Sequence, residues 1–488
     1  MFPMTQARVF IHLVRSRWLV GIFVLVGIGI ACLLVHQLFG RWIALCSFAF
    51  LSYSPFFLAQ TRRVHTDALA TVFILLTVLL FLPYCENRER TRYLLLSGIA
   101  FGLAVLSKSY ALILCVWIPF CIFLYRKSED GQDKKSSIQI SDLLCFANLT
   151  LLTVLVVWPV FWTLQFGIMG VCLLALTFLL YLSIRNGQSP ILLIAIGGVG
   201  LFVIGVSAVK TVWIIIDRVG WAIIMPHEVE HFFLGKAVHD PGGLFYIFAL
   251  TIKSTPLVLP LVLIGCLLLW KRRDNATDTA KQFRLMLAFV SAVVLFIICF
   301  SLISKKFSRY LLPVFPILDI LAAVGLVEGI RWCFERFRID ATNVKRAFVG
   351  VVCLCFLMIQ VLPVFALHPY YGTYYNPLWK FADITKITTV GDASGLDIAA
   401  LYLNQKPNAD KMQVQISPLA TEYFSYYFHG HAYRADRRTV EKPAYEVVYI
   451  RDSQIGRVPQ TGTLNGELEK VITLNGIDHV WIYRIGEQ

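Results

Sequence analysis

Stretches of about 17 to 22 consecutive apolar residues recur along most of this 488-residue chain. Each is long enough to cross the roughly 30 Å hydrocarbon layer of a bilayer as a helix. Read this way, spans are expected near 18–39, 42–58, 67–83, 93–107, 110–125, 144–164, 168–184, 190–208, 256–270, 285–303, 311–330 and 347–366. A weaker stretch lies at 211–225, and 244–255 reads as an interfacial helix. The chain is 58% hydrophobic and 15% charged, against about 45–50% and about 25% for soluble proteins. A soluble single domain and a disordered chain are both excluded. An outer-membrane barrel would instead alternate over ~10-residue segments. The expected fold class is a polytopic α-helical membrane protein of about 11–13 spans with a small C-terminal extracytoplasmic α/β domain.

Charge orients the spans. The net charge of +14 is carried largely in short loops, so it reflects the positive-inside bias and not nucleic-acid binding. Basic loops around Arg88–Arg92, Arg126–Lys135, Lys271–Arg284 and Arg331–Arg346 can share the cytoplasmic side. The loops near 60–66, 226–243 and 304–310 then lie outside, with everything after 367. Arg8, Arg15 and Arg17 oppose this frame, because it puts the N-terminus outside. The first apolar run is too long for a cleavable leader. All 12 cysteines precede Val361, in or beside apolar runs, and read as small buried hydrophobes.

Beyond about Tyr370 the composition turns polar, which divides the chain into a membrane domain, 1–370, and an extracytoplasmic α/β domain, 371–488. Within the latter, Gly395–Asn404 reads as a helix. Met412–Ser417, Glu446–Arg451 and His479–Ile485 read as strands.

Three charged clusters fall on the outer side in this frame. One turn holds Arg62, Arg63, His65 and Asp67; Lys108 sits between two apolar runs; Lys305, Lys306, Arg309 and Tyr310 precede Pro313. Ionisable groups at a membrane edge are costly and point to function. A phosphate on a lipid whose tail stays in the bilayer needs cationic donors at this depth. A nearby carboxylate such as Asp67 can take a proton from an attacking hydroxyl. Simple snorkelling of Lys and Arg, and helix capping by Asp67, are the bland readings of the same residues. His227-Glu228-Val229-Glu230-His231 matches HExxH, which on a helix sets two histidines around zinc. Pro226 before it, the glycines after it and the lack of a clear third ligand count against a metal site. There is no phosphate-binding glycine loop, so any energy source must arrive with the substrate.

Taken in order, these segments resemble the polyprenyl-phosphate-sugar-dependent glycosyltransferases of the GT-C class. The likeness is greatest to the bacterial branch related to protein O-mannosyltransferases and lipid A aminoarabinose transferases. It rests on Ser54-Pro55 through Asp67, Gly102–Lys108, Trp158-Pro159, His231–Gly235 with Asp240-Pro241-Gly242, Lys253–Pro256, Lys305–Pro313 and Tyr374-Tyr375-Asn376-Pro377. The resemblance implies inverting transfer of a sugar from a polyprenyl phosphate to an acceptor hydroxyl of a lipid, glycan or protein. This would occur on the outer face of a bacterial plasma membrane, with no cofactor beyond the lipid carrier, no metal and no nucleic acid. It implies an external acidic pair as the usual catalytic base; Asp67 matches the family's second acidic position and is the catalytic carboxylate left to this chain. Arg62, Arg63, His65, Lys108, His231, Lys236, Asp240, Lys305, Lys306, Arg309, Tyr310, Tyr375 and Asn376 would line the donor and acceptor sites. It also implies a preceding span and an external acidic pair, whereas residues 1–17 contain no acid; a shortened or divergent N-terminus is expected. A lipid-linked glycan flippase without transfer, or a zinc peptidase on the HExxH residues, would be the alternatives.

Overall fold

Burying apolar helices against one another leaves each terminal polar group at a bundle end, and the structure follows that logic. The computed structural model describes residues 6–63, 65–126, 140–158, 164–185, 229–273, 277–339, 341–436 and 443–486. The expected spans at 190–208 and 211–225 lie outside the described residues.

The helices of the N-terminal half are α1 (Gln6–Phe39), α2 (Arg41–Ser52), α3 (Pro55–Thr61), α4 (Thr66–Glu86), α5 (Thr91–Ser107), α6 (Leu114–Arg126), α7 (Ile140–Val157) and α8 (Leu164–Arg185). After a short hairpin, β1 (His231–Phe233) and β2 (Lys236–Val238), come α9 (Phe245–Lys253), α10 (Val258–Arg272), α11 (Thr277–Leu302), α12 (Val314–Arg336), α13 (Thr342–Phe356) and α14 (Leu362–Leu367). Among the described residues five helices are long and apolar enough to cross a membrane, or seven if two bent pairs each count as one span. Three shorter apolar helices accompany them. The run expected as one span over 42–58 is broken: α2 and α3 meet at 65°. Pro55 removes an N–H donor at the start of α3 and disfavours helix at Ser54. Gln360 fills part of the gap, its Nε2 donating to the carbonyl of Tyr53 at 3.0 Å. It sits in a π-helical turn, Leu357–Val361, that joins α13 to α14. The interfacial helix expected at 244–255 is α9, turned 102° from α10.

The core is centred on α4, buried along nearly its whole length between Asp67 and Glu86. Its own Phe81 is fully buried, as are Trp117, Phe289, Phe296 and Phe300. Elsewhere, α10 and α12 approach closely enough that only glycine fits: a Cβ on Gly325 would fall 1.8 Å from the Leu261 carbonyl. Small residues at such crossings are what dispersion-driven helix packing in lipid requires.

The two ends of the bundle differ in charge. At one end Lys281 pairs with Glu86 at 2.8 Å, and Arg272 bridges Glu328 and Glu335. These residues belong to the basic loops. Helix α4 rises about 30 Å from Asp67 to Glu86, so the Asp67 cluster lies a bilayer thickness away from them.

The polar C-terminal part forms a mixed five-stranded sheet of order β4-β3-β5-β7-β6. Its strands are β3 (Gln413–Ile416), β4 (His431–Arg434), β5 (Tyr445–Tyr449), β6 (Glu467–Leu474) and β7 (Ile477–Arg484). The expected helix and three strands are present, and β4 and β6 are additional. Helices α15 (Leu396–Asn404) and α16 (Thr421–Tyr427) cover the sheet. Their apolar faces join Val414, Ile416, Val447, Val480 and Ile482 in a second hydrophobic cluster that also takes Ile252 from α9. On β7, His479 is 1% exposed, and neither ring nitrogen has a hydrogen-bond partner among the described residues.

Burial and, secondarily, the neighbouring Lys253 push the His479 imidazole down to about 4, with Asp478 opposing. A histidine whose folded pKa lies below its unfolded value of about 6.5 adds stability above pH ~6.5 and loses it as pH falls towards 4. Acidification from pH 6.5 to 4 should therefore lower the melting temperature of the purified protein, and His479→Phe should flatten that slope. An unaltered slope in the variant would remove His479 as its source.

Candidate functional site

Asp67 is the second residue of α4 and only 2% exposed. A carboxylate is favoured there by the helix dipole, but burial of its charge requires partners. They arrive from separate parts of the chain. Lys108, in the break between α5 and the 3-10 turn Ser109–Ile113, places Nζ 3.3 Å from Oδ1. Tyr110 donates its hydroxyl to the same oxygen at 3.4 Å. Arg309, in the 3-10 turn Ser308–Leu311 after α11, brings Nε to 3.7 Å from Oδ2. His65, the residue capping α4, sets Nδ1 2.7 Å from Oδ2. Oδ2 and Arg309 Nε nonetheless make no well-formed hydrogen bond among the described residues.

The side chains around Asp67 are only partly satisfied. Lys108 is 27% and Arg309 32% exposed, so both reach from the buried carboxylate towards solvent. Aromatic rings enclose them. Arg309 lies 4.3 Å over the Phe307 ring, and Tyr110 packs against Tyr310 and Phe300. Lys305, half-buried beside them in sequence, has no ion pair or hydrogen bond among the described residues. Desolvation is the first cause that holds the His65 imidazole below its usual value; the positive charges of Lys108, Arg309 and Arg63 add to it, against Asp67. Lys108 and Arg309 thus bring two positive charges, each partly exposed, beside the one buried carboxylate.

A second group adjoins the first through the same 305–310 segment. Lys306 is 1% exposed and donates to Asp240 Oδ1 and to the Ile303 carbonyl, both at 2.7 Å. Asp240 also accepts the Gly242 amide at 2.9 Å. His231 is buried against the edge of Phe307, 5.0 Å between centroids. Of the HExxH motif, His227 and Glu228 lie outside the described residues. His231 opens a strand, not a helix, so the one-face helical geometry that zinc proteolysis needs is not continued there. Among the described residues no cluster of metal-binding type occurs.

The remaining expected residues point elsewhere. Arg63 forms a forked interaction with Asp392, donating to Oδ1 at 2.7 Å and to its carbonyl at 3.0 Å. Arg62 donates to the Pro369 carbonyl at 3.3 Å and stacks on Tyr371. Both are thus occupied by the segment leading into the C-terminal sheet. Tyr375 lies under Lys253 Nζ at 3.8 Å, and Asn376 ties that segment to α9 through the Ile252 and Thr251 carbonyls. Lys236 is exposed on β2, with no bond to the cluster among the described residues. The sequence had not singled out Tyr110 or Asp392. Tyr110 follows Lys108 by two residues, a signal that was available. Asp392 meets Arg63 across 329 positions, and no local pattern marks it.

With this geometry in place, the chain can be set beside known proteins. Residues 12–158 match the family described as dolichyl-phosphate-mannose-protein mannosyltransferase. The match covers less than a third of the chain. It contains Asp67, His65 and Lys108, and it bears out the resemblance read from the motifs. No curated protein matches the chain. Among solved structures, ArnT from Cupriavidus metallidurans bound to undecaprenyl phosphate is similar at 16% identity, with 97% of this chain and 85% of that chain covered and a TM-score of 0.40. The Archaeoglobus fulgidus oligosaccharyltransferase AglB, in complex with an inhibitory peptide and a dolichol-phosphate, gives 13% identity, 90% and 58% coverage and a TM-score of 0.44. The chain spans less than two thirds of the latter's length.

The Arg63–Asp392 fork fastens the turn carrying His65 and Asp67 to the C-terminal sheet. Asp392→Ala should speed amide exchange both in the 62–65 turn and in 391–395, read by hydrogen–deuterium exchange. Acceleration confined to 391–395 would show that the turn is held by other contacts.

Proposed function

We propose that the chain transfers a sugar from a polyprenyl phosphate to an acceptor hydroxyl at the outer face of a bacterial plasma membrane. The observation that carries this reading is the convergence of Lys108 and Arg309, from separate loops, on the buried carboxylate of Asp67 at one end of the spans. The family match over residues 12–158 supports the same chemistry. The outward assignment of this end follows from the basic loops at the opposite end, which the positive-inside bias places in the cytoplasm.

In this reading Lys108 and Arg309 grip the lipid phosphate, with Lys305 as a further cation. The acceptor oxygen attacks the anomeric carbon from the face opposite the phosphate, so configuration inverts. The new C–O bond forms as the bond to the phosphate oxygen breaks, and the electron pair leaves with the phosphate. Preorganised cations stabilise the charge that develops there. Asp67 fixes the positions of both cations and is the carboxylate assigned to take the hydroxyl proton. The lipid carrier brings the activated bond, so no other cofactor enters. Asp240, held by Lys306 in the same segment, is the carboxylate assigned to the acceptor side.

Purified protein in liposomes containing an undecaprenyl-phosphate-linked radiolabelled sugar should release labelled product. Asp67→Asn and Lys108→Ala should each lower the rate by about 100-fold or more, the scale of losing one transition-state-stabilising group. Wild-type rates in both variants would remove these roles.

A further inference from the structure

A cavity of about 620 Å³ lies where the last membrane helix hands over to the C-terminal sheet, and none of the Asp67 cluster lines it. Its floor is Pro363, Ala366 and Leu367 at the end of a helical stretch, Thr342–Leu367, long and apolar enough to span a membrane. The cavity is therefore at the level of the lipid headgroups. On the same helix Leu362 and Phe365 are exposed, as hydrocarbon-facing residues should be. On the water side the short turn Pro377–Trp379 carries Leu378 at 60% and Phe381 just beyond it at 81% exposure. Large apolar side chains left open next to a span end are accounted for when lipid covers them.

The walls are preformed. Asn376 caps the Pro377–Trp379 turn and ties it to α9. Opposite, the β6–β7 hairpin turns through Asn475 and Gly476, both with positive φ as such two-residue turns require. Asn475 is locked by a 2.8 Å bond from Nδ2 to the Thr373 carbonyl. Tyr370, Tyr375 and Trp379 supply rings with polar edges, the residue types that favour the membrane–water boundary. The lining carries one cation, Lys380, and one carboxylate, Asp383. The Asp383 carboxylate already takes the Thr385 amide and hydroxyl and pairs with Lys386. The exposed Lys380 lines the cavity, and its ammonium makes no ion pair or hydrogen bond among the described residues.

We propose that this cavity binds the phosphate headgroup of a bilayer glycerophospholipid, with Lys380 as the cation and the acyl chains lying on the Leu362 and Phe365 face. This site is independent of sugar transfer.

The full chain, purified and delipidated in detergent, can be titrated with phosphatidylglycerol and read by native mass spectrometry. One bound lipid should be lost at about tenfold lower occupancy constant in Lys380→Glu, the scale of reversing one charge next to a lipid phosphate. Ala366→Trp, which fills the floor and keeps Lys380, should lose the same lipid. Equal retention in wild type and Lys380→Glu would overturn the proposal. Displacement by glycerol 3-phosphate at matching concentration would overturn the part given to the acyl chains. Stronger retention of undecaprenyl phosphate than of phosphatidylglycerol, abolished by the same variants, would overturn the assignment to a bilayer lipid in favour of the carrier.

Discussion

A buried carboxylate at the head of the central helix must be compensated, and that requirement organises this end of the molecule. Beside its neighbour His65, Asp67 draws in Lys108 and Tyr110 from one distant segment and Arg309 from another. Removing a charge from water costs several kcal/mol unless it is paired, so the three connecting segments are held in one geometry by the need to satisfy one group. The pairing is incomplete on the side of the cations, which remain about a third exposed. In the proposed reading this is preorganisation: the positive groups are already positioned, so a phosphate would meet little ordering cost.

The C-terminal sheet is more than an appendage to this end. Arg62 and Arg63, read from sequence as phosphate donors, are engaged instead by Pro369, Tyr371 and Asp392. The hairpin β1–β2 is likewise fastened, with the Phe232 amide donating to Thr389 and Leu234 to the Ile387 carbonyl. The turn before α4 and the hairpin that begins with His231 thus share a support, Ile387–Asp392. Separate membrane and soluble functions are hard to reconcile with so direct a mechanical link.

The membrane helices were legible because bilayer thickness imposes a length and composition that no soluble constraint imitates. Where such a run bends was less so: Pro55 marks the break after α2, but neither the 65° turn nor the Gln360 bond to the Tyr53 carbonyl, 307 positions away, has a local signature. In the polar part, β3, β5 and β7 announced themselves by buried apolar residues, whereas β6, the edge strand Glu467–Leu474, is half exposed and reads as loop. β1 and β2 are three residues each, too short to show a period. At the site, Asp67, Lys108 and Arg309 were recognisable as ions misplaced beside hydrocarbon, and they do meet. Arg62 and Arg63 satisfied the same criterion yet pair with the sheet, because sequence records that a cation needs a partner and not which partner it has.

The central claim is that Lys108 and Arg309, braced by Asp67, form the seat of a lipid phosphate. Its most direct test is an experimental structure of the full chain with undecaprenyl phosphate in a nanodisc. Phosphate density within about 3 Å of both Lys108 Nζ and the Arg309 guanidinium, with the polyprenyl tail leaving between the spans, is the result this account predicts. Well-resolved phosphate density at another position, with Lys108 and Arg309 still turned only to Asp67, would contradict it.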